Sequence, residues 1–531
     1  MKALKSKQAY LMLALLMALS VILAACGDNT ATTAPALTTA AATTAAATTA
    51  ASTTAAATTA AATTAASTTA AATTAASTTA AATTATSATT AASGSSDSVT
   101  VSVNGTPVTI KAGGGQSFKP ANPVTVTMWS YQVKQNGEAF RKLMDEFEQT
   151  HPNIKVKIDN FNDTATYDII NQKLTQAATA GGLPNIANGY ENWVPAFVDS
   201  KVILPLNQFI SGPYGLTGKE LNDYRPQMLA RGIFPQYNNE TYTWVFSNSA
   251  PVLYYNKDIL DKYGISKVPE TWDEFIADGK TIAEKSGGKT AGYVFAPKTV
   301  SEIVAGIYSR GGQVYDYKAN KLVMTDKPAV DHITMLYQGV KDGWIITADP
   351  NVAFDDQNRF LNGEVAFYIS STSGRSFIAA AQAKDGAKKF NWNAQVIPHG
   401  TGLQPVTTLY GGAVMGFKGK SQDEDLATWE VMKYLGSAAF QAKFAASSGY
   451  APATKSTLED PGYKAFLDKA PQNKIPLVAY DYATAAEPKI GQWQQMRNIF
   501  NDAMFALFQN ASGDPAATLK KIEDDSNKLL K

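Results

Sequence analysis

The sequence predicts an α/β protein built on largely parallel sheets, with enough chain for two cores. Three observations lead there. Val124-Thr-Val-Thr-Met128 alternates apolar and polar residues as a strand does, and Phe140, Leu143, Met144 and Phe147 then recur at helical spacing. His151-Pro152 stops that helix, and Ile154, Val156 and Ile158 alternate again. Strand, helix and strand within about 35 residues make a βαβ unit, which requires a parallel sheet. The same rhythm continues along the chain, and about 410 residues remain once the non-globular N-terminus is set aside, enough for two cores rather than one. Sheets of this kind bind ligands at the carboxyl ends of their strands.

Before that body the chain carries segments of other kinds. Lys2, Lys5 and Lys7 precede an uncharged apolar run from Ala9 to Ala25, which reads as a secretory signal too short for a comfortable membrane span. Its end, Leu23-Ala24-Ala25-Cys26-Gly27, resembles the lipobox of bacterial lipoproteins, in which the cysteine is acylated and the peptide is cut just before it. The alternative is an uncleaved N-terminal anchor; either places the remaining chain outside the cytoplasm. Cys26 is the only cysteine, so no disulfide supports the mature fold.

Residues 30 to 93 are almost wholly Ala and Thr, and nothing in them can build a core. As a flexible tether such a tract would span roughly 45 Å root-mean-square. Val99 to Ile110 alternates around Asn104-Gly105, a strong hairpin-turn signal, and Gly113-Gly114-Gly115 reads as a second short linker. Near the C-terminus Met496, Ile499, Phe500, Ala503, Met504 and Leu507 form one apolar helix face. Thr271 with Glu274 three residues on is a capping-box pattern, which makes Trp272 a packing residue at a helix start.

The composition excludes several functions. With 46 basic and 45 acidic side chains there is no basic excess to neutralise a nucleic-acid backbone. The three histidines, His151, His332 and His399, stand in no metal-ligand spacing, and neither HExxH nor G-x-S-x-G occurs. Gly288-Lys289-Thr290 resembles the end of a P-loop, but Ala283 stands where its first glycine is required. No cofactor, metal or catalytic residue is therefore expected. The competing enzyme reading, a surface-tethered glycoside hydrolase, has only the carboxylate pairs that any chain with 45 acids contains. A structural or adhesive surface protein would suit the tether but not the α/β segments.

Several stretches resemble the family of extracellular solute-binding proteins that serve carbohydrate ABC importers: Pro251-Val-Leu-Tyr-Tyr-Asn-Lys-Asp258, Val268-Pro-Glu-Thr-Trp-Asp-Glu-Phe275, Phe360-Leu-Asn-Gly-Glu-Val-Ala366, Gly411-Gly412 and Gly449-Tyr450-Ala-Pro452. They occur in the family's order and span roughly Pro123 to Leu530. The resemblance implies a two-lobed type II periplasmic-binding-protein fold, with residues 122–248 and 413–449 in one lobe and 249–411 and 450–531 in the other. Residues 1–25 are then the signal peptide, 26–98 the tether and 99–121 the hairpin and linker. It also implies a monomer that captures a carbohydrate or an sn-glycerol 3-phosphate-like polyol between the lobes and hands it to permease subunits, held to the outer face of the cytoplasmic membrane through lipidated Cys26 alone.

The glycerol-3-phosphate-binding branch of the family lends its ligand residues one at a time. They fall on Tyr167, Glu191, Ser249, Ser373, Gly412, Tyr450 and Arg497, with Ala250 where that branch has threonine. Glu191 would accept from ligand hydroxyls, Ser249 and Ser373 would donate from opposite sides, and Gly412 would let the ligand approach its backbone. Arg497 would grip an anion or paired hydroxyls, and Tyr167 and Tyr450 would supply flat walls. Trp129 and Trp193, near predicted strand ends, are candidates for stacking or for core. That branch carries tryptophans after a Gly-Tyr pair where this chain reads Gly292-Tyr-Val-Phe-Ala-Pro-Lys-Thr299, so neutral oligosaccharides stay open as ligands. Taken without the resemblance, Arg497 reads as a solvated helix residue, Tyr450 as a core cap, Ser373-Gly374 as a turn and Gly411-Gly412 as a bend.

Overall fold

The computed structural model describes residues 97–510 and 512–531. The leader, Cys26 and the Ala/Thr tract lie outside the described residues. The expected βαβ unit is present. Alternation in Val124–Trp129 buries Val126 and Met128, the helix Lys134–Thr150 buries Phe140, Leu143, Met144 and Phe147, and Ile154–Asp159 returns parallel with Val124 opposite Ile154.

Two five-stranded sheets organise the body. The first runs Ile154–Asp159, Val124–Trp129, Ile186–Gly189, Ala413–Gly416, Thr243–Trp244. The second runs Ile345–Thr347, Ala291–Phe295, Val365–Ser371, Pro251–Asn256, Trp392–Val396. In each, the first two pairings are parallel and the last two antiparallel. The antiparallel half of the first sheet comes from a strand that returns late in the chain, Ala413–Gly416. The backbone thus passes from one sheet to the other between Trp244 and Pro251 and comes back between Val396 and Ala413. These crossings bring Ser247–Ser249 and Tyr410–Gly412 together, with the Ser249 N–H donating to the Tyr410 carbonyl at 2.7 Å.

Local chemistry sets the flanking elements. Thr271 and Glu274 form the expected reciprocal capping box, and Trp272 behind it is 2% exposed, its indole N–H donating to Ser309 Oγ at 2.9 Å. The helix Trp493–Gln509 buries Trp493, Met496, Phe500, Met504 and Leu507 against the second sheet's hydrophobic cluster.

The hairpin is also present, as Ser98–Val103 paired antiparallel with Thr106–Lys111. Asn104 (φ 50°) and Gly105 (φ 82°) are both left-handed, as a two-residue hairpin turn matched to strand twist demands. Val99, Val101, Val103, Val108 and Ile110 are buried, packed over the helices Gly218–Asp223 and Pro226–Arg231. The segment after it, expected as a linker, is hydrogen-bonded to the body. The N–H groups of Gly113 and Gly114 donate to the carbonyls of Leu216 and Gly212, at 2.6 and 2.9 Å. Buried Glu430 accepts from the Ser117 hydroxyl at 2.8 Å and the Phe118 N–H at 3.1 Å. No helix among the described residues is long and apolar enough to cross a membrane.

Candidate ligand-binding cleft

The residues singled out from the sequence converge where the two sheets face each other. On the first-sheet side Tyr167 opens the helix Tyr167–Ala180, whose N-cap Thr166 accepts from the Ile169 N–H. Its ring stacks on Tyr131 at 4.2 Å and lies 4.3 Å from Tyr190, while Trp193 meets both Tyr167 and Tyr190 edge-on. Burial raises the Tyr167 phenol well above its ordinary pKa, with neighbouring Tyr450, Tyr190 and Tyr131 adding to the shift. Tyr167 Oη, Asn192 Nδ2 and Trp193 Nε1 are buried without a hydrogen-bond partner among the described residues. Buried polar atoms are almost always paired, so this wall holds polar capacity that the protein itself does not use. Trp129 ends its strand edge-on to Phe161 at 5.7 Å, in the same partly buried aromatic cluster.

On the second-sheet side the serines form one chain. Ser249 Oγ meets the hydroxyls of Ser371 and, at 2.9 Å, Thr372, and Ser371 Oγ lies 2.7 Å from Ser373 Oγ. Ser249 and Ser373 thus belong to one hydroxyl row, not to opposite sides as the sequence suggested. The row exists because the strand Val365–Ser371 ends beside the crossing segment at Ser249. Tyr450, 5% exposed, stacks on Phe444, and burial raises its phenol pKa. Gly411, at φ 100°, adopts a backbone that L side chains rarely take. A Cβ on Gly412 would come within 2.5 Å of Tyr167 Oη, so the wall closes on this glycine.

The charged groups are arranged in compensated sets. Glu191 forms an ion pair with Arg231, Nη2 donating to Oε2 at 3.2 Å. Arg231 also donates to the carbonyls of Tyr410, at 3.3 Å, and Gly411. Arg497 is paired with Glu487 and donates to Ser301 Oγ at 3.2 Å, while Ser301 and Trp493 donate to Glu487 at 2.6 and 2.5 Å. Although burial alone would raise it, this ring of donors holds the Glu487 carboxyl below its ordinary pKa. The guanidinium expected to grip an anion therefore already has a carboxylate of its own. Lys489 donates to the carbonyls of Ala230, Arg231 and Ile233, at 3.2, 2.8 and 3.3 Å, and burial lowers its ammonium to about 8.

Sequence reasoning missed Arg231, Glu302, Glu487 and Lys489. Burial pushes the Glu302 carboxyl up to about 7, with Asp356 and Glu487 adding and Arg497 opposing. It lines a small cavity with Trp272, Tyr293, His332 and Ile397, and its charge reaches Tyr190, Tyr368 and Tyr410. Its signal in the sequence was position: it lies in the first turn of the helix that follows the strand Ala291–Phe295, at a carboxyl end. Tyr190, Glu191, Arg231, Tyr410, Glu487 and Lys489 line a cavity of only about 20 Å³, so these side chains leave little space among themselves. No cluster of His, Cys, Asp or Glu suited to a metal ion occurs among the described residues.

Two facing α/β lobes with a polar and aromatic seam define a binding protein of the type II periplasmic class. The profile of the family described as bacterial extracellular solute-binding protein matches residues 142–474, and the chain belongs to that family. It is 25% identical over 422 residues, 78% of this chain and 95% of the other, to a binding protein of Brucella abortus. Among solved structures, UgpB from Mycobacterium tuberculosis in complex with glycerophosphocholine superposes with a TM-score of 0.66 at 20% identity, covering 77% of this chain and 99% of that one. The GacH receptor of Streptomyces glaucescens, solved unliganded and with acarbose, gives 0.65 at 22% identity, covering 76% and 98%. At such identities these two structures speak for the fold.

Proposed function

We propose that this protein is the capture component of an ABC importer: two lobes, 122–248 with 413–449 and 249–411 with 450–531, close on a hydroxylated solute and present it to a permease. A cavity of about 20 Å³ is far below the roughly 300–1,000 Å³ of small-molecule sites. Entry therefore requires the lobes to part, and the ligand earns closure through better contacts in the shut form. Acylated Cys26 would hold the chain to the outer face of the membrane; retention of the Cys26→Ala protein in the membrane fraction would contradict that.

Between the two ligand types in view, a neutral carbohydrate is favoured over a phosphorylated polyol. The observation that carries this is charge compensation. Arg231 is paired with Glu191, Arg497 with Glu487, and Lys489 with three carbonyls, while Glu302 forms no ion pair among the described residues. An incoming phosphate would have to break one of these pairs. Hydroxyls suit the row Ser249–Ser371–Ser373 and the unpartnered donors of Tyr167, Asn192 and Trp193. The family to which the chain belongs is one of solute-binding proteins, which supports binding without turnover as its role.

Thermal shift of the protein against neutral mono- and oligosaccharides, sn-glycerol 3-phosphate and glycerophosphodiesters tests the reading. A ligand at a hundred times its dissociation constant adds about 2.7 kcal/mol. Stabilisation by sugars alone is the expected result. Stabilisation by the phosphates alone would overturn the neutral-ligand choice, and release of product from a chromogenic glycoside would overturn the binding role.

A further inference from the structure

The hairpin Ser98–Lys111 precedes the stretch matched by the family profile, and the proposed capture role leaves it unused. Its tip is not at a free edge. Ser102, Val103 and Asn104 form one side of a cavity of about 260 Å³, and Tyr308, Tyr317 and Thr484 stand on the other. This cavity shares Arg231, Leu409, Ala486 and Lys489 with the small cavity of the cleft, so the two lie side by side with these residues between them.

We propose that the hairpin builds the outer wall of a second chamber of the ligand site, one that takes the distal unit of an elongated, neutral, hydroxyl-rich ligand. The hairpin thereby sets the length of ligand the protein accepts. The proposal rests on the solute-binding reading above and deepens it. At roughly 30 Å³ per water, the chamber displaces about nine waters, the bulk of one added unit rather than a long chain. Its outer lining is neutral and hydrogen-bonding: Ser102, Asn104, Gln227 and Thr484. Tyr317, 49% exposed, presents a ring on which the flat face of a sugar can rest. Its inner cations offer nothing to an anion, because Lys489 already serves three carbonyls and Arg231 serves Glu191. The walls come from both sides of the cleft: the hairpin rides on the helices Gly218–Asp223 and Pro226–Arg231, and Tyr308 belongs to the helix Val300–Ser309. A ligand filling the chamber would tie the two halves together.

Ser102 is the position to alter. It is exposed, lies opposite Pro107 in the ladder and alternates with the buried Val101 and Val103, so a larger side chain there enters the chamber without touching the hairpin core. Calorimetric titration of wild-type protein, Ser102→Trp and Ser102→Ala with neutral glucans from maltose to maltotetraose makes the test, with melting temperatures confirming that the variants fold. The wild type is expected to bind a longer member at least about tenfold more tightly than maltose, and Ser102→Trp to lose that gain while keeping maltose within about twofold. Ser102→Ala should keep the length preference. Equal losses for short and long glucans, or no dependence on length in the wild type, would overturn the chamber. Wild-type protein that binds none of these glucans would count against the neutral-solute reading itself, and the chamber would fall with it.

Discussion

The two walls of the cleft reach a similar end by different means. The first-sheet wall is aromatic: Tyr131, Tyr167, Tyr190 and Trp193 pack ring on ring, and their polar tips are left over. The second-sheet wall is a network: three serines and a threonine share hydroxyls, and Glu487 collects Arg497, Ser301 and Trp493. The aromatic wall is shaped by packing and has spare hydrogen-bonding capacity. The network is satisfied within itself and must exchange partners to engage a solute. Specificity for hydroxyls is thus expected to come mainly from the aromatic side, with the network fixing position.

The difference can be broken by substitution. The largest effect is expected for Arg231→Ala, which strands Glu191 and strips donors from the carbonyls of Tyr410 and Gly411 at the crossing between sheets. Breaking a buried pair on one side costs about 3–5 kcal/mol. A denaturant midpoint unchanged from wild type would show that this pair does not hold the crossing. A smaller and more telling effect is expected for Tyr167→Phe. Its hydroxyl has no hydrogen-bond partner among the described residues, so stability should hold or rise slightly, while ligand affinity should fall by about 0.5–1.5 kcal/mol. Equal affinity for both proteins by calorimetry would mean that the aromatic wall contributes shape alone.

The smallest effect concerns Glu302. Its folded carboxyl sits at about 7, above the ordinary value of about 4.3, so the folded protein binds more protons than the unfolded chain between these values. This group's contribution to stability therefore falls as pH rises across that window. If its protonated form donates to the solute, affinity should drop by about threefold, roughly 0.7 kcal/mol, from pH 6 to pH 8. Glu302→Gln should flatten the profile; an identical slope in that variant would assign the dependence elsewhere.

What could be read from the sequence was what depends on near neighbours. The βαβ unit, the Asn104-Gly105 turn, the Thr271–Glu274 box and the apolar face from Met496 to Leu507 are each written within a few residues. The family motifs brought Tyr167, Glu191, Ser249, Ser373, Gly412 and Tyr450 to one region, although their roles were harder to assign. Arg497 looked like a free anion grip because its partner lies ten residues earlier, out of helical reach, beyond the start of its own helix. Arg231, at the end of one short helix, and Glu302, in the first turn of another, carried no motif that drew attention to them. Their surroundings are set by strands returning from far along the chain, and no local pattern encodes that.

The fastening of Gly113–Phe118 has a mechanical side. Gly113 and Gly114 are tied to Gly212–Leu216, and Ser117 and Phe118 to Glu430, all within the half that carries the first sheet. Any pull arriving at Asp97 is delivered there as shear across the hairpin and its staples, within the half that carries the first sheet. The second-sheet half hangs beyond that load. Only the bonds between the halves, among them those from Lys489 to the carbonyls of Ala230 and Arg231, would pass that load on.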